Sequence, residues 1–293
     1  MKKIAVLTDF SERAEQAARY AVRLAQYIRA DVVLYHSFPV PYTEPNFATF
    51  LNWPMEDLSE IRNDSNKELS KLEEKLKQEW PLTSEAGFRP GITSVSTPAV
   101  ASLNLGDLSA DKEIVLCVIG SHQNGVSGFM TGNHVLEIID KVKVPVLMVP
   151  EHYAFDKIRK IAFATDLDNS DLDVINSVSG LAAYFSADIM LSHIDAESAS
   201  NSEKGKYVKE FLRDVTNKIP YPHIYYRSVT NDRVKGGLIW LNENVDFDML
   251  VMVHRHRGFL NRLLGLSETR KITELTSVPL LIYPSPVPSM PVF

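Results

Sequence analysis

The amino-acid sequence repeats itself. KKIAVLTDFSERAEQAARYAVRLAQYIRADVVLYH, starting at Lys2, returns as RKIAFATDLDNSDLDVINSVSGLAAYFSADIMLSH, starting at Arg159, at a constant offset of 157 and without a gap. Lys3, Ile4, Ala5, Thr8 and Asp9 recur as Lys160, Ile161, Ala162, Thr165 and Asp166, and His36 recurs as His193. In all, 12 of the 35 positions are identical, where average composition gives about two by chance. The ends match as well: VKVPVLMVP (142–150) and TSVPLLIYP (276–284). A duplicated chain of 293 residues folds as two copies of one unit, each near the usual domain size of roughly 150 residues. The expected domains are 1–150 and 155–285, followed by a tail, 286–293, with the boundary at 151–155, just after Pro150.

Composition sets the broad class. The chain is 45% hydrophobic and 23% charged, which excludes a disordered or collagen-like chain. A net charge of −6 gives no nucleic-acid footprint. The single cysteine, Cys117, rules out an internal disulfide and fits a reducing compartment. Asp9 interrupts the first apolar run, 4–7, too early for a signal peptide. The longest apolar run, 114–119, is far short of the ~20 residues a membrane helix needs. A cytoplasmic protein with no membrane span is expected.

Each half alternates strand and helix. In the first, the run 4–7 reads as a buried parallel strand. Ser11 caps a helix over Glu12–Ile28, where Ala17, Ala21, Leu24, Ala25 and Ile28 keep helical spacing. Strands follow at 32–35, 92–96, 114–119 and 144–149, with helices at 58–80, 100–108 and 135–141. Residues 38–54 read as a loop whose Tyr42, Phe47, Phe50 and Trp53 either cover a site or pack as a small satellite core. The charge run from Lys67 to Glu79 reads as a solvated helix face. The alternation argues for an open parallel sheet with helices on both faces. Its ligand site then lies beyond the carboxyl ends of the first and fourth strands.

At the first tip stand Thr8 and Asp9, repeated as Thr165 and Asp166. A carboxylate there either holds a base or sugar, or accepts backbone N–H groups at the helix start. His36 follows the second strand and either touches a ligand or is a satisfied, half-buried histidine. After the fourth strand comes GSHQNGVSGFMTGNH, residues 120–134. Its glycines allow backbone N–H groups to approach a phosphate, although the Gly-Lys-Ser/Thr ending of a Walker loop is missing.

The TDFS turn, the terminal VPVLMVP and the strand–helix order resemble the universal stress protein family in its tandem two-domain form. The resemblance implies two Rossmann-like α/β domains of the adenine nucleotide alpha hydrolase type, each with a five-stranded, mostly parallel sheet. It implies ATP, with magnesium, bound through Asp9 and a loop of pattern G-x2-G-x9-G-S/T. Gly120 matches the opening glycine, Gln123 stands where the second belongs, and Gly132 with Asn133 resembles the closing pair one residue early. Ser121 lies beside the phosphates in this reading. Family members pair through the last strand, so 144–149 and 278–283 are expected to pair within the chain; a homodimer is a further option.

In the second half Val253, His256 and Leu266 occupy the three glycine positions and only Ser267 remains. A branched side chain at Val253 crowds any phosphate, so no nucleotide is expected here, and Asp166 becomes a structural relic. Arg255 and Arg257, with Ser267, form either an alternative anion site or a solvated basic turn. His254 and His256 are too few ligands for a metal site. No nucleophile elbow, CxxC or HExxH motif is present, so no catalytic residue is assigned and no enzyme is expected, with slow ATP hydrolysis left open. Two readings stand: a nucleotide-binding regulator with at most one working site, in the first half, and a nucleotide-independent interaction module acting on protein partners the sequence does not identify.

Overall fold

The computed structural model describes residues 1–39, 55–79, 87–99, 111–121, 138–139, 141–195, 202–255, 277–284 and 293. The first half supplies β1 (Lys3–Leu7), α1 (Glu12–Ile28), β2 (Asp31–Pro39), α2 (Met55–Gln78), β3 (Ile92–Ala99), β4 (Ile114–Ser121) and β5 (Val146–Pro150). The second supplies β6 (Lys160–Ala164), α3 (Asp171–Ala183), β7 (Asp188–Asp195), α4 (Ser202–Lys218), β8 (Ile224–Thr230), α5 (Val234–Asn244), β9 (Met249–Val253) and β10 (Leu280–Tyr283). Residues 138, 139 and 141 are also helical. The loop aromatics Tyr42, Phe47, Phe50 and Trp53 and the helix expected at 100–108 lie outside the described residues, as do positions 285–292 of the tail.

The ten strands form one sheet in the order β3-β2-β1-β4-β5-β10-β9-β6-β7-β8. Pairing is parallel throughout except at the centre, where β5 and β10 run antiparallel. Two five-stranded parallel sheets thus join edge to edge through their last strands, the pairing that the family resemblance implied. Successive strand residues point to opposite faces. Ile4 and Val6 pack beneath α1 and α2, while Ala5 faces the layer that holds Ile138 and Ile139. In the second half α3 and α4 cover the first face, and Leu238 and Leu241 of α5 cover the other. The result is an α/β/α sandwich, with both strand faces buried as parallel sheets require.

Several boundaries differ from the sequence reading. β2 continues through Ser37 and Phe38, because β3 pairs with it along its whole length and buries Phe38. β4 likewise extends through Gly120 and Ser121, which pair with Val149 and Pro150. These two residues, expected in the loop, finish the strand. The Lys67–Glu79 face is solvated as expected: Lys67 and Lys71 are exposed, and Leu69, Leu72 and Leu76 turn inward.

The segment joining the halves is an anchored strap. Tyr153 and Phe155 pack with Tyr20 and Tyr27 of α1 and with Phe185 after α3. Gln16 Nε2 donates to the Tyr153 carbonyl at 2.8 Å, and Asp248 accepts from the Arg159 and Lys160 amides at 2.6 and 2.9 Å. Among the described residues, no helix is long and apolar enough to cross a membrane.

Candidate functional site

At the first tip the chain turns sharply after β1. Phe10 adopts φ 61°, an uncommon value for a non-glycine residue. The Thr8 hydroxyl stabilises the turn by accepting the Phe10 amide at 3.0 Å. Ser11, in extended conformation, caps α1 by accepting the Ala14 amide at 3.4 Å. Asp9 does not cap the helix itself; it holds the capping residue. Its Oδ1 accepts both the amide and the hydroxyl of Ser11, and its Oδ2 accepts Arg13 Nη2 at 2.8 Å. Burial opposes ionisation of Asp9, but the Ser11 and Arg13 bonds outweigh it and hold the carboxyl below its ordinary range.

His36 belongs to the same cluster. Its Nδ1 lies 2.8 Å from the Thr8 carbonyl. Because a carbonyl can only accept, Nδ1 carries the proton. The ring packs on Phe10 with centroids 4.3 Å apart. His193 repeats the arrangement, with Nδ1 at 2.9 Å from the Thr165 carbonyl. The shared contact closes the end of β1 onto β2, and of β6 onto β7.

Gly120 meets this cluster from β4. A Cβ at this position would lie 2.5 Å from the Arg13 carbonyl oxygen, so only glycine lets the first turn of α1 approach the strand so closely. Arg13, which sequence reading passed over, therefore links the expected residues: its backbone rests on Gly120 and its guanidinium holds Asp9. Its legible signal was the four-residue spacing from Asp9. Gly132 and Asn133 lie outside the described residues.

The second tip is built differently on the same frame. Leu167 repeats the positive φ, at 66°, and Thr165 Oγ1 again accepts the amide two residues on, at 2.8 Å. Val253 stands where β4 has Gly120. In the second half α3 starts at Asp171 rather than at 169, the position equivalent to Glu12. The turn opened by this delay carries Asp166, Asp168, Ser170 and Asp171, and Arg255 fills it. Nη1 of Arg255 donates to Asp166 Oδ1 at 2.6 Å; Nη2 donates to Ser170 Oγ at 2.9 Å and to Asp171 Oδ1. Asp168 Oδ1 lies 3.8 Å from Nη2.

Of the two readings of Arg255, an anion ligand or part of a solvated basic turn, the carboxylates around its guanidinium disfavour the first, because they would repel an anion. Asp166, expected to hold no nucleotide, anchors Arg255. Arg257 and Ser267 lie outside the described residues, as does His256. Asp171 is 1% exposed and donor-bonded by Thr165 at 2.6 Å, yet burial pushes its carboxyl up to about 6 against the pull of Arg255. Burial also opposes the charge on Arg255, but the carboxylates outweigh it and raise its pKa. A buried acid of this kind depends strongly on its partner; breaking such a pair typically costs about 3–5 kcal/mol.

Fold and tips together define a duplicated α/β protein in which each half carries an acidic turn at the end of its first strand. The sequence model of the universal stress protein family matches residues 1–150, and the chain belongs to that family. Comparison with curated proteins finds no match. The chain is similar in structure to a universal stress protein from Archaeoglobus fulgidus DSM 4304, with TM-score 0.69, 12% identity and coverage of 96% of this chain and 98% of that one. A functionally unknown protein from Pseudomonas aeruginosa PAO1 gives TM-score 0.55 and 13% identity over 97% of this chain and 92% of its own. The cytoplasmic domain of a prokaryotic cation chloride cotransporter gives 0.54 and 10%, over 96% and 94%. At these identities the likeness is one of fold.

Proposed function

We propose that the first tip binds an adenine nucleotide, ATP with magnesium, and that occupancy regulates contacts with protein partners in the cytoplasm. The carrying observation is the asymmetry of the tips. Asp9 is oriented by Ser11 and Arg13, and its Oδ2 keeps a lone pair for a ribose or base donor. Asp166 is covered by Arg255, which approaches from the strand end where a phosphate loop would begin. In this reading Thr8 and His36 shape the first pocket. Gly120, Ser121, Gly132 and Asn133 take the phosphates, and the second half binds no nucleotide. No residue is assigned a catalytic role, so the protein acts as a switch rather than an enzyme.

Calorimetric titration of magnesium-ATP into the full chain tests this. One site per chain, lost in Asp9→Ala and kept in Asp166→Ala, supports the reading; no saturable heat overturns it. The alternative, a nucleotide-independent interaction module, draws support from the antiparallel β5–β10 seam, which gives the chain a fixed internal pairing without any ligand.

A further inference from the structure

The geometry points to β8, the free edge of the second half, as a docking site for an extended segment of a partner protein, one that alternates apolar and acidic residues and joins the sheet as a further strand. The inference stands apart from the nucleotide reading of the first tip. It begins from a difference between the two outer edges of the duplicated sheet, β3 and β8. Over β3 the sheet face is closed. There α2 lies down on the strand and buries Leu69, Leu72 and Leu76. The Ser65 and Ser96 hydroxyls bond at 2.6 Å, and Ser94 donates to Glu73 at 3.3 Å. Pro98, near the end of β3, also lacks the N–H that a further ladder would need.

Over β8 the same space is open, because α4 stands back from the strand. Between them runs a groove of about 630 Å³, lined by Leu212, Val215 and Ile219 of α4, by Ile224 and Tyr226 of β8, and by Tyr221. That volume is within the usual range of binding pockets. Tyr221 is fixed at one end by donating to the Ala187 carbonyl at 2.6 Å. The backbone beside the groove is available. The Ile189 amide donates to the His223 carbonyl, and the Asn231 amide to that of Asp195. This parallel register turns the N–H and C=O of Ile224, Tyr226 and Ser228 away from β7. A strand added here pairs with those groups and sends every second side chain into the groove. In this mode main-chain bonds supply affinity and the pocket supplies specificity. β8 carries none of the proline, lysine or bulge that ordinarily blunts an edge.

Charge selects the occupant. On the other face of β8, Tyr225 is exposed and the Arg227 guanidinium lies 5.5 Å over the ring of Trp240. On α4, Lys209 and Arg213 are exposed and stand one turn before the groove residues Leu212 and Thr216. Residues 219–230 contain no Asp or Glu, in a chain whose net charge is −6. The acids nearby are engaged or turned away. Asp214 is paired with Lys218, and Asp188 lies 3.6 Å from His223. Glu210, two residues before Leu212, is on the opposite side of the helix, and Asp195 stands at the far end, beside Thr230. An extended segment with apolar side chains toward the groove and carboxylates toward Arg227 complements this edge. A second copy of the chain does not: its own Lys209, Arg213 and Arg227 would meet these across the seam, where like charges repel.

Fluorescence polarisation of a labelled peptide, Val-Glu repeated four times, against the full chain tests this, with Val-Lys repeated four times as the comparison. The variants are Ser228→Pro, Thr216→Trp and Arg227→Glu, each first shown to melt cooperatively. Ser228→Pro removes an outward N–H and leaves the bonds to β7 in place; Thr216→Trp fills the groove from an exposed position. Saturable binding of the Val-Glu peptide is expected, about tenfold weaker in either of these variants. Its preference over the Val-Lys peptide should fall about threefold or more in Arg227→Glu. No saturable binding, unchanged affinity in Ser228→Pro or Thr216→Trp, or an unchanged preference in Arg227→Glu overturns the inference. Should Ser228→Pro not fold, Thr216→Trp decides the site. Sedimentation showing a wild-type dimer that Ser228→Pro, or Thr216→Trp in its place, dissociates would assign the edge to a second copy and overturn the partner reading. None of these outcomes bears on nucleotide binding at the first tip.

Discussion

Leu147 and Leu281 face each other across the only antiparallel pairing among the described strands, and they are repeat equivalents of one another. The flanking pairs, Met148 with Leu280 and Val146 with Ile282, exchange places under the same symmetry. This is the geometry of an isologous dimer, achieved here within one chain. Both leucines are essentially unexposed. Leu147→Ala should therefore destabilise the whole sheet by about 2–5 kcal/mol, read as a lower urea midpoint. A midpoint within error of wild type would mean that the seam contributes little.

The strap adds to the seam. Because Tyr153 and Phe155 pack on α1 and near Phe185, a chain cut between Ala154 and Phe155 should still elute as one particle in size-exclusion chromatography. Separate elution of the halves would show that covalent linkage, not packing, holds them.

Arg255→Ala should destabilise by about 3–5 kcal/mol, since it removes the cation from a buried carboxylate. Adding Asp171→Asn should recover part of the loss, because the amide needs no counter-ion. A double-mutant cycle in urea gives the coupling energy; a value near zero would refute the proposed dependence of Asp171 on Arg255.

Asp171 also predicts a pH dependence. Its folded pKa is raised to about 6 from an ordinary 3.8, so the folded state holds the proton more tightly. For this group, stability falls as pH rises from about 4 to about 6 and is level above that, by up to about 3 kcal/mol. Asp9 has the reverse sign: its lowered folded pKa adds stability above the ordinary carboxylate value, lost as pH falls through the folded one. Urea midpoints of Asp171→Asn from pH 4 to 7 should lack the decline expected of wild type. Parallel profiles would exclude Asp171 as its source.

Gly120→Ala places a methyl 2.5 Å from the Arg13 carbonyl oxygen. Overpacking against backbone costs about 1–3 kcal/mol, so thermal melting should show a clear loss. An unchanged melt would mean that α1 shifts freely to make room for the methyl.

The sequence by itself determined the duplication, the order of the described strands and helices, and the position of both tips. These follow from local periodicity and from an offset that holds over 35 residues. It even placed Glu12–Ile28 at its observed limits, because Ser11 is a local cap. The tertiary structure alone decided that an arginine at the end of β9 meets the carboxylates after β6. Arg13 reaches Asp9 within one helical turn, whereas Arg255 reaches Asp166 from 89 residues away. It also decided why Gly120 is glycine: the demand comes from α1 packing on β4, a contact between segments distant in sequence. Periodicity reports the face a residue presents, but an ion pair or a close backbone approach depends on which elements the completed sheet brings side by side.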